Sequence, residues 1–460
     1  MTILQEAVAS VLERRTHYRE AKDYYEGDVP EVFATAALRR TFRASGDRSR
    51  LNFCRPVVDA VVDRLEIANI SGDTKRATDE IAKIWKRNDL GLEAAEIHRM
   101  TVVYGDCYVM AWPGADGDIQ ISYNAPTQMS LVYDPEDPRK KLYAVKMWRV
   151  SETETRLNIY TDTFIRKYKT NSGDVTEGTN WFETEVIDNP FGQIPVFHFR
   201  THRPFGRPEH YAAYDAQNAI NKLFVTNMMT IDYQGAPQRY ALASMGDGGE
   251  MQDFNDGDTE RENLGAIRNG PGELWFLKGV TQVGEFKPAD AMAFWTPIEK
   301  VRDSIASLTN TPVHYLTTPN YGTPTGSALR VSESPLLKKI AARQMSIGYS
   351  WRDVFKFCLA IEGIKSDVVV TWTTHESLDE LERWDVAAKK VNVGLSQRQA
   401  LREGGYTEDQ IEKIVEERMY EDEIGQTAYR RAARTDVNND ETNALRMPNA
   451  TDEQGNEKRR

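Results

Sequence analysis

Four groups of side chains in this 460-residue chain have types and spacings that could do chemistry. The stretch "NYGTPTGSAL" has the glycines of a loop that cradles phosphates. Such a loop also needs a Lys to hold them, followed by Ser or Thr; counting from Gly322, Ala328 and Leu329 stand in those places. The run "DFNDGDTERE" has the acids of a calcium loop, which needs Gly at its sixth position. Counted from Asp253, that position is Asp258, so a solvated acidic loop is the expected reading. His198 and His202 are four apart, as two helical metal ligands can be, but they end a strand before "RPFGRP" and share no helical face. They read as ordinary surface histidines. Cys107 sits alone in an apolar strand and reads as a core residue. No Ser/His/Asp set or nucleophile elbow is present, so neither an enzyme nor a cofactor or metal is expected.

The elements that carry these residues follow from composition and periodicity. Charged residues make up 28% and hydrophobic ones 40%, ordinary for a soluble globular protein long enough for more than one domain. The net charge of −12 disfavours non-specific adhesion to nucleic acid or anionic membrane. Three widely spaced cysteines, Cys54, Cys107 and Cys358, make no disulfide framework or zinc site, as in a reduced intracellular protein. The N-terminal segment is an amphipathic helix without the apolar core of a signal peptide, and no apolar run is long enough to span a bilayer.

Residues 1–100 read as helical: "RPVVDAVVDRLEI" puts Val57, Val58, Val61, Val62 and Leu65 on one face. From Gly105 to Phe199 the period becomes two, with eight short strands between Asp, Pro, Gly and Asn turns. The fold class is therefore α+β with an antiparallel sheet. A helix over about His210–Asp232 follows, with Ile220, Leu223, Phe224, Met228 and Ile231 on one face. Residues 236–297 hold ten acids against five bases, an acidic excursion between two long helices. Thr296-Pro297-Ile298-Glu299 predicts a helix start, with Thr as cap and Pro at the first position; Ile298, Val301, Ile305 and Leu308 then form a stripe. A Pro/Gly/Thr loop leads to a long helix ending near Ile361, with Pro335 as an expected kink or restart. "DVVVTW" reads as a strand, two further helices follow, and 435–460 has the composition of a disordered tail.

In their order along residues 20–420, "LNFCRPVVDAVVDRLEI", "IWKRNDL", "VVYGDCYVMAW", "NPFGQIPVFHFR", "NKLFVTNMMTIDYQGAPQRYAL", "TPVHYL", "GSALRVSESPLLKKIAARQMSIGYSWRDVF" and "VTW" resemble portal proteins of tailed bacteriophages, especially long-tailed phages of actinobacteria. The resemblance implies a portal-like architecture. Its wing would be a mixed helix and antiparallel-sheet region at 1–208. Stem helices would occupy 209–235 and 297–316, with a small clip at 236–296. A tunnel loop and long kinked helix would span 317–362, a wing return strand 363–378, a helical crown 379–434 and the tail 435–460. It also implies a ring of about twelve subunits at one capsid vertex, assembled in the host cytoplasm and carried in the virion. Implied partners are the terminase large subunit, the head-tail adaptor, major capsid and scaffolding proteins, and double-stranded DNA passing without sequence specificity; no membrane is implied.

On this map the loop that meets DNA is Thr317, Thr318, Pro319, Asn320, Tyr321, Gly322, Thr323, Pro324, Thr325, Gly326 and Ser327. Prolines stiffen it, glycines allow sharp turns, and its polar groups are neutral. Lys338, Lys339 and Arg343 would be basic residues of the channel, or would pair with Glu333 and helix carbonyls. Asp253, Asp256, Asp258 and Glu260 of the clip would dock partners. Two other classes remain open: a different ring or adaptor component of the head-tail joint, and an enzyme with an unrecognised site.

Overall fold

The computed structural model describes residues 3–28, 51–176, 178–235, 239–243, 280–285, 292–317 and 326–373, then 385, 388–394, 396–403, 406 and 410–420. It divides into two compact units, Met1–Trp372 and Thr373–Arg460.

In the first unit, α1 (Ile3–Glu26), α2 (Cys54–Val62), α3 (Lys75–Arg87) and α4 (Leu90–Tyr104) are separated by β1 (Ile67–Gly72) between α2 and α3. Eight strands then follow: β2 (Asp106–Pro113), β3 (Ile119–Asn124), β4 (Met129–Tyr133), β5 (Lys141–Arg149), β6 (Thr155–Tyr160), β7 (Phe164–Thr170), β8 (Phe182–Asp188) and β9 (Val196–Arg200). They form two antiparallel sheets rather than one. β4 to β8 make a five-stranded meander, and β2 lies between β3 and β9 in the other. The meander is buried on both faces at β5, β6 and β7, while its edge strand β8 is exposed. Tyr143, Val145, Met147, Leu157 and Ile159 meet Ala7, Val8 and Val11 of α1. Ala144, Tyr160 and Ile165 have the other parity and meet Tyr108 and Val196 of the second sheet. Alternating side chains thus feed two cores.

A 3-10 turn (Tyr211–Ala213) opens α5 (Tyr214–Gly235), and β10 (Arg239–Ala243) pairs antiparallel with β11 (Val280–Glu285). The pairing brings together the two ends of the acidic excursion. α6 (Met292–Leu308) starts four residues before Thr296, so Pro297 lies inside the helix and Thr296 is not its cap. α7 (Gly326–Ile361) runs as one helix through Pro335, without a restart. Proline removes the hydrogen bond to Val331 four residues earlier. Val331 is 76% exposed, so water is available to its carbonyl.

α7 is also the spine of the largest core. Ile347, Trp351, Val354, Phe355 and Cys358 recur at helical spacing and pack with Ile81, Ile84, Ile97 and Phe199. Burial of this kind contributes about 1.5–3 kcal/mol for each large apolar side chain. β12 (Val368–Trp372) returns to pair with β1 across almost the whole unit. The second unit has α8 (Gln397–Glu403) and a helix over 410–420, with Ala400, Leu401 and Ile411 buried.

Candidate functional site

Thr318–Thr325 lie outside the described residues, so the loop expected at Thr317–Ser327 is accessible through its two roots. On one side α6 ends at Leu308, and Asn310 takes a left-handed φ of 52°. A 3-10 turn, Val313–Tyr315, follows, and Leu316 is buried. On the other side Gly326 and Ser327 already belong to α7. Thr317 is half-buried and its hydroxyl donates to the Val313 carbonyl at 3.3 Å.

A single carboxylate joins the two roots. Glu333 of α7 is 3% exposed and accepts the Tyr315 hydroxyl at 2.9 Å. Arg64 lies 3.7 Å from the same carboxylate oxygen and His314 Nε2 3.5 Å. Arg64 also donates to the Tyr315 hydroxyl.

About two and three turns further along α7, Lys339 and Arg343 do not pair with Glu333. Both reach Glu209, at 3.1 Å and 2.9 Å. Lys339 also donates to the Thr309 carbonyl at 2.6 Å and Arg343 to the Thr201 carbonyl at 2.8 Å. These contacts tie α7 to the end of α6 and to the segment entering α5. Burial works to raise the Glu209 pKa, but Lys339 and Arg343 outweigh it and hold the carboxyl below its usual value. Burial lowers the Lys339 pKa against the pull of Glu209. The carboxylate is the charge whose state is decided by this geometry, since it has two cations and they share one anion. Lys338 is exposed.

Sequence reading missed Glu209 and misplaced His198. Glu209 is a lone acid in "RPEHY", with partners more than a hundred positions away, and nothing local marks it. His198 is 6% exposed rather than a surface residue. Its Nε2–H donates to Asp106 at 2.8 Å, and its Nδ1 accepts the Tyr133 hydroxyl at 2.9 Å. Asp106 also accepts the Tyr18 hydroxyl at 2.8 Å and the Gly206 amide at 2.6 Å. The approach of that amide requires Gly105. This residue ends α4 with φ of 85°, and a Cβ there would lie 2.5 Å from the Arg207 nitrogen. The network binds α1, β2, β4, β9 and the 201–207 loop; it is a structural hub. Cys107 is fully buried, and burial raises its thiol pKa. Among the described residues no cluster of His, Cys, Asp and Glu could hold a metal, and no helix is long and apolar enough to cross a membrane.

Asp253, Asp256, Asp258 and Glu260 lie outside the described residues; β10 and β11 fix only where their excursion begins and ends.

A family model described as "Phage portal protein, SPP1 Gp6-like" matches residues 6–423. Among curated proteins, the chain is similar to the portal protein of Mycobacterium phage L5, with 22% identity over 328 residues, 68% of this chain and 65% of that protein. It thus spans just under two thirds of that relative. It is also similar to the portal protein of Mycobacterium phage D29, with 22% identity over 367 residues, 76% of this chain and 73% of that protein. Among solved structures, "Neck of empty GTA particle computed with C6 symmetry" matches with 15% identity and a TM-score of 0.48, covering 81% of this chain and 93% of that one. "Virion of native gene transfer agent (GTA) particle" matches with 14% identity and a TM-score of 0.45, covering 81% and 99%.

Proposed function

From the premise that this chain belongs to the SPP1 Gp6-like phage portal protein family, we propose that it forms the ring at one capsid vertex through which DNA is packaged and ejected. The observation that carries this reading is the family match over residues 6–423, which takes in both sheets, the helical pair α5 and α6, and α7. The family is a structural, non-enzymatic class.

Closed rings use heterologous interfaces, so each subunit needs two different adhesive faces. The pair α5 and α6 has apolar surface to spare. Ile220, Ile298 and Ile305 are buried between them, but Met228, Ile231 and Trp295 stay 40%, 45% and 39% exposed. A neighbouring subunit would cover such side chains. Purified full-length protein is expected to reach a closed ring of about a dozen subunits. Native mass measurement and negative-stain imaging check this; a monomer at high concentration, with no ring in assembled particles, would count decisively against it.

In this reading residues 1–208 form the wing with β12, α5 and α6 the stem, 236–296 the clip and 379–434 the crown. A conduit must not hold the phosphates it passes, because each phosphate neutralised releases counterions and deepens binding. Of the three basic candidates, Lys339 and Arg343 are held inside the subunit by Glu209, which leaves Lys338 exposed. The loop from Thr317 to Ser327 is then the part that meets DNA, through neutral hydroxyl and amide groups. The acids Asp253, Asp256, Asp258 and Glu260 raise the encounter rate with the packaging motor and later the adaptor, an effect that salt screens. A phage deleted for this gene and complemented with variants separates these roles. Lys at Asn320 and Thr323 should leave empty proheads normal while DNA filling or retention falls. Asn or Gln at the four acids should leave rings intact and weaken motor docking at low salt. Normal filling by the loop variants, or unchanged docking by the acid variants, would remove the corresponding role.

A further inference from the structure

A cleft of about 490 Å³ opens between α7 and the region where β4, β5 and β9 end. Its charge runs against that of the chain. Arg139, Lys141, Arg200 and Arg203 line it, with Asp353 as the one acid, in a protein of net charge −12. Asp353 is itself engaged, 3.5 Å from Arg352.

Lys141 is the informative member. Its Nζ donates to the Val196 carbonyl at 3.0 Å and lies 4.8 Å from the centre of the Phe197 ring. Among the described residues no carboxylate lies within ion-pairing distance of Lys141, Arg139, Arg200 or Arg203. The loss of water around the ammonium lowers the Lys141 pKa to about 8; Asp353 opposes the shift and Arg200 adds to it. Holding a desolvated ammonium without a counter-charge costs stability, and an anion in the cleft would offset that cost. Arg200 is pre-set for such a role. Its guanidinium lies 5.2 Å from the Tyr133 ring centre and donates to the Tyr133 hydroxyl at 3.2 Å. That same hydroxyl is held by His198, so the wall of the cleft is continuous with the Asp106 hub. Arg139 and Arg203 are exposed at the rim.

We infer that this cleft binds an oxyanion, a phosphate or a carboxylate, on Lys141 and Arg200 with Arg139 and Arg203 closing over it. Guanidinium forks match the planar edge of such groups, and charge-assisted hydrogen bonds are the strong ones. The cleft is larger than the anion alone, and Met345 and Tyr349, 65% and 47% exposed, line it too. The anion therefore carries an apolar or aromatic body. Its source is either a free phosphorylated or carboxylated molecule or an acidic side chain of a second copy of this chain.

The test titrates inorganic phosphate into the full chain at low ionic strength, read by calorimetry and by phosphorus NMR line broadening. Saturable binding is expected. Lys141→Met keeps the stem over Phe197, and the double variant Arg139→Gln, Arg203→Gln changes exposed residues only. Each should weaken binding about tenfold or more, the scale of a lost charge-assisted hydrogen bond. No saturable binding by the folded wild-type chain overturns the site. Binding that neither variant weakens means an adventitious ion only, and also overturns it. A final arm, which alone rests on the ring reading, compares assembly of the double variant with wild type. Loss of assembly identifies a neighbouring subunit's carboxylate as the anion, and normal assembly identifies a free one.

Discussion

Lowering the pH from 6.5 to 4 is expected to remove several kcal/mol of stability from this chain, because its core holds neutral histidines. His98 is 1% exposed; its Nδ1–H donates to the Leu65 carbonyl at 2.7 Å and its Nε2 accepts the Trp351 N–H at 2.8 Å. A second ring proton would set two donors face to face. Burial lowers the His98 pKa to about 4, with the Leu65 bond opposing it. His210 is fully buried, its Nε2–H donates to the Ala21 carbonyl at 2.9 Å, and burial likewise lowers its pKa to about 4. Burial lowers the His198 pKa too, although Asp106 pulls the other way. Between pH 6.5 and 4 the unfolded chain binds protons that the folded chain refuses, so stability falls as pH falls. For His98 and His210 this amounts to about 3 kcal/mol each across the window. Below it the loss continues through Glu209, whose lowered pKa gives stability that is present above the ordinary carboxylate value and lost as pH drops through the folded one. Urea unfolding at pH 7.5, 6, 5 and 4 checks this; a midpoint that stays level down to pH 4.5 would contradict the buried neutral state of these rings.

Glu209→Gln is expected to destabilise the folded chain by about 3–5 kcal/mol, the cost of leaving buried charges without their partner. The three side chains are 6%, 12% and 11% exposed, so solvent screens them little. Gln keeps one acceptor oxygen but carries no charge to balance Lys339 and Arg343. Adding Lys339→Met should recover part of the loss, because it removes one of the two stranded cations and keeps most of its volume. Denaturant midpoints of the two variants and the wild type decide it. A loss under about 1 kcal/mol would mean that water enters the cluster and that it does not brace the loop roots.

The relation between sequence and structure varies with the distance over which the residues act. Strands β2 to β9 were legible because each is a short apolar or alternating run between turn residues, a local property. The same alternation does not say which strands share a sheet. One antiparallel sheet was expected and two are present, because sequence carries no local mark of the break between β3 and β4. The start of α6 was misread for a related reason: Thr296-Pro297 has the chemistry of a helix start, but the helix extends back to Met292 and encloses it. The same holds at Pro335, where packing of Leu336 and Ile340 into the core carries α7 across a local breaker.

By itself, the sequence determined the type and period of the elements, the acidic balance, the absence of a recognisable catalytic motif, and an ordered set of phrases that marks the family. Those are properties of short windows or of the whole composition. The tertiary structure decided which charges meet. Asp106 finds His198, Glu209 finds Lys339 and Arg343, and Arg64 finds Glu333, each across dozens to hundreds of positions. Arg139, Lys141, Arg200 and Arg203 become one cleft only when β5 and β9 are laid beside α7. A charge exposed in the chain carries no sign of its later partner, because pairing energy exists only after folding has excluded water and set the distance.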